Sequence, residues 1–441
     1  MINIRRLSTM SSAELAHLKR RAELNIEEAM GVAREILGDI RQRGDAALIE
    51  YVRKFDYAGA TLEGLRVTEE EFAQARAKVA PEVRAALERA HANIRRFHEK
   101  QMPEELWFTE LEEGLVVGEK ITPIASACLY VPRGKGSFPS VMLMLGTPAR
   151  VAGVPRVIVC TPPGPDGEVD AASLVAAELC GITEIYKLGG AQAIVAVALG
   201  TATVPRVDKV IGPGNTYVSA AKRLLVGNID VGLPAGPSEA IVLADEHADP
   251  RVAALDLLNE AEHGPDSAAL LVTHSETLAA QVAQLLPSYL SQLPEWRRAF
   301  CERVLASFGG IVITPDLEAS IAFVNEYAPE HLQILVSEPF SVLGRIRNAG
   351  EILLGPYASI ATSNYSLGLN AILPTGGFAR SYSSVSVFDF LKRSGVGYMT
   401  RRGMEALGEA TALLADYEGF PAHAMAVRKR AEILGQPKAE P

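Results

Sequence analysis

With 441 residues the chain is long enough for two or three domains, and 48% hydrophobic with 22% charged residues is the make-up of an ordinary globular protein. A net charge of −10 disfavours nucleic acid or an anionic membrane as the main partner. No apolar run reaches the ~18 residues a membrane span needs, and Met1-Ile-Asn-Ile-Arg-Arg-Leu lacks the basic-then-apolar layout of a signal peptide.

Residues 1–119 read as a helical, charged N-terminal region. Ser12-Ala-Glu-Leu, Asn25-Ile-Glu-Glu and Thr68-Glu-Glu-Glu are helix openings of the capping type, with a loop over residues 55–62. From Ile121 short apolar strands alternate with amphipathic helices. Strands are expected at 126–131, 157–161, 184–188, 209–211 and 240–244, with helices at 141–152, 169–179, 191–199 and 216–226 between them. A second series follows: helix 250–263, strand 269–273, helix 275–286, strand 310–314, helix 317–325, and strands 332–336 and 351–354. Alternation of this kind predicts an α/β fold with two Rossmann-like parallel-sheet domains. The boundaries are 1–119 for the N-terminal region, 120–245 and 246–384 for the α/β domains, and 385–441 for a helical C-terminal arm, with residues 435–441 disordered.

The four cysteines, Cys128, Cys160, Cys180 and Cys301, form no C-x-x-C pair. Cys128 and Cys160 sit in apolar runs, so buried free thiols and a cytoplasmic setting are expected.

Three loops leave the carboxyl ends of strands in the first series. Tyr130-Val-Pro-Arg-Gly-Lys-Gly-Ser-Phe-Pro-Ser140 carries two cations and several small residues. Gly189-Gly-Ala-Gln192 starts a helix, and so does Ile211-Gly-Pro-Gly-Asn215-Thr-Tyr. Free amides at a helix start favour an anionic group, and glycines let a ligand approach the backbone. Each loop alone can equally be a plain turn, and the G-x-G-x-x-G fingerprint is absent. Together on one sheet edge they make a ligand crevice.

Ala235-Gly-Pro-Ser238-Glu239 is either a turn or a polar substrate contact. Pro329-Glu330-His331 places a carboxylate beside an imidazole where a helix gives way to a strand, either as a proton-transfer pair or as a surface pair. Glu260-Ala-Glu-His263 closes a helical run, and two ligand-capable side chains three apart share one helix face. Of the eight histidines, His17, His91 and His98 are expected to face solvent on charged helices, and His247 and His274 to sit at turns. That leaves His263, His331 and His423 with suggestive neighbours.

These segments, with Asp256-Leu-Leu-Asn-Glu-Ala-Glu-His-Gly, Tyr327-Ala-Pro-Glu-His-Leu, Leu373-Pro-Thr-Gly-Gly and Glu418-Gly-Phe-Pro-Ala-His423, resemble the histidinol dehydrogenase family in order and over nearly the whole chain. The resemblance implies oxidation of L-histidinol through the aldehyde to L-histidine in histidine biosynthesis, with two NAD and one zinc per site, in a homodimer. It implies Glu260, His263, Asn364 and His423 as zinc ligands. Glu330 and His331 become the catalytic pair. NAD lies near Tyr130, Gln192 and Asn215, in the 120–245 domain. Ser238, Tyr365, Glu418 and His423 contact substrate, some of them across the dimer that the C-terminal arm builds.

The chain departs from the family pattern. Glutamine is usual where Glu260 stands and aspartate where Asn364 stands, so one carboxylate and one amide are exchanged in position. The family reads Gly-x-Asn-His where this chain has Gly368-Leu-Asn370-Ala371, and Arg133 replaces a usual glycine. Alanine cannot hydrogen-bond a substrate, which admits a paralogue acting on another alcohol, such as a sulfonated propanediol. A non-catalytic degenerate homologue is the alternative from outside the enzyme class.

Overall fold

The computed structural model describes residues 2–20, 26–134 and 136–435. Asn25, Lys135 and residues 436–441 lie outside the described residues, and Gly435 closes the Pro421–Gly435 helix. Contacts divide the chain into two compact units. One comprises Met1–Met102 with Ile124–Phe390, the other Pro103–Pro123 with Leu391–Pro441.

In chain order the strands are β1 (Ile4–Arg6), β2 (Leu106–Glu112), β3 (Leu115–Pro123), β4 (Ser126–Tyr130), β5 (Arg156–Cys160), β6 (Ile185–Tyr186) and β7 (Lys209–Ile211). They continue with β8 (Glu239–Ala244), β9 (Ala268–Thr273), β10 (Gly310–Ile313), β11 (His331–Leu335), β12 (Glu351–Leu354) and β13 (Leu391–Met399).

The first unit holds two parallel sheets. One has the order β6-β5-β4-β7, the other β1-β10-β9-β8-β11-β12. Strands β5, β8, β9 and β10 are buried almost throughout, as strands covered by helices on both faces must be. The α/β expectation is met, and nearly every expected strand and helix lies within a few residues of its place.

Three domain assignments need correction. Strand β8, grouped with the first α/β series by a boundary at 245, pairs with β9 and β11 in the six-stranded sheet. Strand β1 joins the edge of the same sheet beside β10. The N-terminal region is also not separate: the Ile26–Arg43 helix buries Ala29, Ala33, Ile36 and Ile40, a four-three-four spacing, in the core around β4 and β5. Sequence proximity does not decide such partnerships; they follow from which apolar face is left to cover.

The second unit is an antiparallel sheet, β13-β3-β2, with the helices Arg401–Tyr417 and Pro421–Gly435 packed on each other. Residues 106–123 and 391–399 are therefore strands, not parts of helical regions. Apolar and polar residues alternate in Leu106-Trp-Phe-Thr-Glu-Leu-Glu, and Gly395 and Gly397 weaken any helix across β13.

His98 is fully buried rather than solvent-facing. Its Nδ1 lies 2.7 Å from the Ile94 carbonyl and its Nε2 3.3 Å from the Asn370 amide nitrogen. No helix is long and apolar enough to cross a membrane among the described residues, and all four cysteines are free and buried.

Candidate active site

Because β4, β6 and β7 run parallel in one sheet, the three glycine-bearing loops leave the same edge. Tyr130 and Gln192 are brought together there. The Tyr130 hydroxyl accepts from the Gly190 amide at 3.0 Å, and the Gln192 amide donates to Asp56 Oδ2 at 3.0 Å. Asp56 also accepts from the Gly189 amide at 3.1 Å, so one carboxylate holds the start of the Gly190–Leu199 helix. Burial raises the Asp56 carboxyl and these two hydrogen bonds hold it back. Asp56 falls within the expected 55–62 loop, and nothing local in the sequence marks it.

Asn215 is exposed and caps the Thr216–Leu225 helix, its Oδ1 accepting from the Tyr217 and Val218 amides. Lys222, nearly two turns into that helix, is buried and donates to the Gly212 carbonyl at 2.6 Å; burial pushes its pKa down to about 8. Gly212 has φ +133, and a Cβ there would stand 2.1 Å from the Tyr130 carbonyl oxygen. No other residue fits that approach between two strand ends. Arg133 is tied down as well, donating to the Glu168 carbonyl at 2.9 Å.

The second centre is built on the six-stranded sheet. The Leu317–Tyr327 helix ends in Ala328, whose φ of +54 is the one positive value outside glycine among the described residues. Left-handed backbone on a non-glycine residue costs about 1 kcal/mol or more and recurs at functional turns. It delivers Pro329, Glu330 and His331 into β11. Glu330 and His331 are buried, so the surface-pair reading fails. Glu330 Oε2 accepts from the Glu239 amide at 2.8 Å, while its Oε1 stands 3.8 Å from His331 Nε2. Glu239 Oε1 in turn accepts from the Gly376 amide at 2.6 Å, pinning the loop beside Ser238.

His331 Nδ1 lies 2.5 Å from Glu351 Oε1, and Glu351 Oε2 accepts from the Ser363 hydroxyl at 2.5 Å. Burial works to lower the His331 imidazole, but Glu351 and Glu330 outweigh it and raise it to about 10. Burial also pushes Glu330 well above the carboxylate range; His331 opposes this and Glu260 adds to it. The two groups titrate together, the charge on each shifting the other. Glu351 was missed; the available signal was a carboxylate opening an otherwise apolar strand.

Glu260 sits at the end of the Pro250–Ala261 helix, fully buried, and neither of its carboxyl oxygens has a hydrogen-bond partner among the described residues. Its Oε1 is 3.5 Å from His263 Nδ1. That nitrogen faces the Asn259 and Glu260 carbonyls at 3.1 and 3.3 Å, leaving Nε2 as the coordinating atom. A buried carboxyl with two orphaned oxygens beside an imidazole fits a cation. Among the described residues no three His, Cys, Asp or Glu side chains converge on one point. The remaining candidate in this unit is the Asn364 amide, on the Ile360–Tyr365 helix next to Ser363. Tyr365 follows and is exposed. Glu418 and His423 belong to the second unit, one closing the Arg401–Tyr417 helix and the other in the first turn of the Pro421–Gly435 helix; both are exposed.

A cavity of about 650 Å³ opens beside the sheet edges. Gly212, Gly214, Lys222, Ser238, Glu239 and Thr375 are among its lining residues. It joins the Gly212 loop to the Ser238 loop but is not lined by Glu330, His331 or Glu260. Ala371 is half-buried, and its neighbour Asn370 donates to the Met144 carbonyl at 2.7 Å.

A family model described as histidinol dehydrogenase matches residues 19–431. The histidinol dehydrogenase of Synechocystis sp. is 56% identical over 98% of this chain and 100% of its own length. A histidinol dehydrogenase homolog of Cereibacter sphaeroides is 52% identical, with 97% of each chain covered. The crystal structure of histidinol dehydrogenase from Elizabethkingia anophelis superposes with a TM-score of 0.93 at 35% identity, covering 99% of both chains. Two sheets, a strand-edge crevice, a buried Glu-His pair and these likenesses over the whole chain agree, and the chain belongs to the histidinol dehydrogenase family of NAD-dependent oxidoreductases.

Proposed function

We propose that this protein oxidises L-histidinol through the aldehyde to L-histidine, as a zinc-containing homodimer in the cytoplasm. The observation that carries the reading is the buried Glu330–His331 pair, with one nitrogen of His331 tied to Glu351 and the other turned to Glu330. When bound, NAD would supply the hydride acceptor for both oxidations, and zinc would supply positive charge that orients substrate heteroatoms beside Glu330 and His331.

Glu260, His263 and Asn364 hold the metal, completed by His423 from a second copy of the chain. Exposed Leu413, Leu414 and Tyr417 on the Arg401–Tyr417 helix and Phe420 just after it support that pairing, because such apolar surface calls for cover. Tyr130, Gln192 and Asn215 hold the cofactor at the sheet edge, and Ser238, Tyr365 and Glu418 contact the substrate.

His331 Nε2 takes the hydroxyl proton as the C–H electron pair leaves the carbinol carbon, giving the aldehyde. Glu330 then accepts a proton from water as the water oxygen adds to the aldehyde carbon, and His331 returns the proton it took to the former carbonyl oxygen, which gives the hydrate and frees Nε2 for the second step. His331 takes a hydroxyl proton of the resulting hydrate while the second C–H electron pair departs, and the carboxylate is released. The side chains bury this chemistry, which excludes bulk water and strengthens each charge interaction.

The test is NAD reduction by the zinc-loaded protein against a panel of small polar alcohols with histidinol as reference. Two NADH per histidinol, with histidine as product, support the reading. If no alcohol reduces NAD, the reading fails. Higher kcat/KM for a different alcohol reassigns the substrate, the expected consequence if Ala371 leaves the imidazole of histidinol without a partner.

A further inference from the structure

We infer that Glu351 is the positioning residue of the reaction: it fixes His331 so that Nε2 is the nitrogen that receives the substrate proton. The inference rests on the proposed role of His331 and names the group that makes it possible.

The placement follows from strand register. His331 and Glu351 are direct partners in the parallel β11–β12 pair, so their side chains project on the same face of the sheet. The contact is 2.5 Å and both side chains are about 95% buried, shielding it from water. The carboxylate oxygen accepts from Nδ1, so Nδ1 keeps its proton and the proton the ring exchanges, with the lone pair it leaves behind, is on Nε2. Glu330 cannot do this, because its 3.8 Å separation from Nε2 is beyond hydrogen-bond range and lies on the reacting side of the ring.

The second oxygen of Glu351 is also committed. The Ser363 hydroxyl donates to it at 2.5 Å from the Ile360–Tyr365 helix. The carboxylate is thus held at both oxygens and cannot swing away from the ring. Through Ser363 it also ties the base to the helix that carries Asn364.

Glutamine at 351 preserves shape but can offer an N–H to Nδ1, which favours the wrong tautomer. Glu351→Gln in the zinc-loaded full-length protein is expected to lower kcat by about 10- to 100-fold, the range for groups that orient a functional histidine, while KM stays within about twofold. In the wild type, labelled at histidine with ¹⁵N, the Nδ1–H proton should resonate far downfield; loss of the signal in His331→Asn assigns it. The resonance should be lost or moved upfield in Glu351→Gln. Wild-type kcat or an unchanged resonance in that variant overturns the inference. If Glu351→Gln does not fold, Ser363→Ala decides: a shifted resonance with several-fold lower kcat supports the inference, and no change in either refutes it. Should the wild type oxidise no alcohol, the proposed function fails on its own, and the resonance alone still decides whether Glu351 holds His331.

Discussion

Replacing Asp256 with asparagine in the chelator-treated protein should stabilise it, and by an amount that depends on pH. Asp256 lies one turn before Glu260 on the Pro250–Ala261 helix, is 6% exposed, and its Oδ2 has no hydrogen-bond partner among the described residues. Burial alone raises its pKa from 3.8 to about 6. A carboxyl whose folded value exceeds its unfolded value binds its proton more tightly in the native state, so the native state loses stability as pH rises between the two values. The cost is absent below the unfolded value of 3.8 and complete above about 6. Two pKa units at about 1.36 kcal/mol each give a full cost of about 3 kcal/mol, with roughly half of it present at about pH 5. A buried asparagine with an unsatisfied amide returns about 1 kcal/mol of that. Urea unfolding of wild type and Asp256→Asn at about pH 5 and pH 8 measures the difference. The variant should be more stable by about 2 kcal/mol at the higher pH and by clearly less at the lower. Equal differences at both pH values, or a destabilised variant at pH 8, would falsify the claim that the fold buries an uncompensated carboxyl here.

His331→Asn should lower kcat by about 10²- to 10⁴-fold, the contribution of a positioned general base, with the circular dichroism spectrum retained; wild-type turnover would remove His331 from the chemistry. In metal analysis after chelation and zinc reloading, wild type should hold stoichiometric zinc, and Glu260→Gln should keep it with about tenfold weaker affinity, because an amide oxygen can still coordinate. Absence of stoichiometric zinc from the reloaded wild type defeats the metal assignment. Gly212→Ala places a methyl against the Tyr130 carbonyl and needs a φ of +133, so it should lose more than about 2 kcal/mol of stability and weaken NAD binding measured by calorimetry. Unchanged affinity and melting temperature would show that the loop relaxes.

Much of the fold is legible because its cause is local. Strand-helix alternation follows from short buried apolar runs separated by amphipathic segments, and Thr68 and Glu71 form the capping box that their spacing announces. The glycine loops fall at strand ends because only there must backbone turn sharply while the next helix begins. Misreadings cluster where the deciding contact is distant. Strand β8 has no local feature that says which sheet it joins, and β13 depends on pairing with β3, hundreds of residues earlier. His98 sits on a charged helix, yet Asn370 closes over it.

The sequence by itself determined the chemical repertoire: a Glu-His pair, a Glu-x-x-His helix end, three permissive loops and an exchange of carboxylate for amide between positions 260 and 364. Tertiary structure alone decided how those groups are tuned. Twenty residues separate His331 from Glu351, and only the register of two parallel strands makes them neighbours. The packed interior leaves the Glu260 oxygens without hydrogen-bond partners among the described residues, and burial pushes the Glu330 and Asp256 carboxyls upward. Residue type fixes which proton or ion a side chain can hold; distance and dielectric, which exist only in the folded chain, fix how tightly it does so.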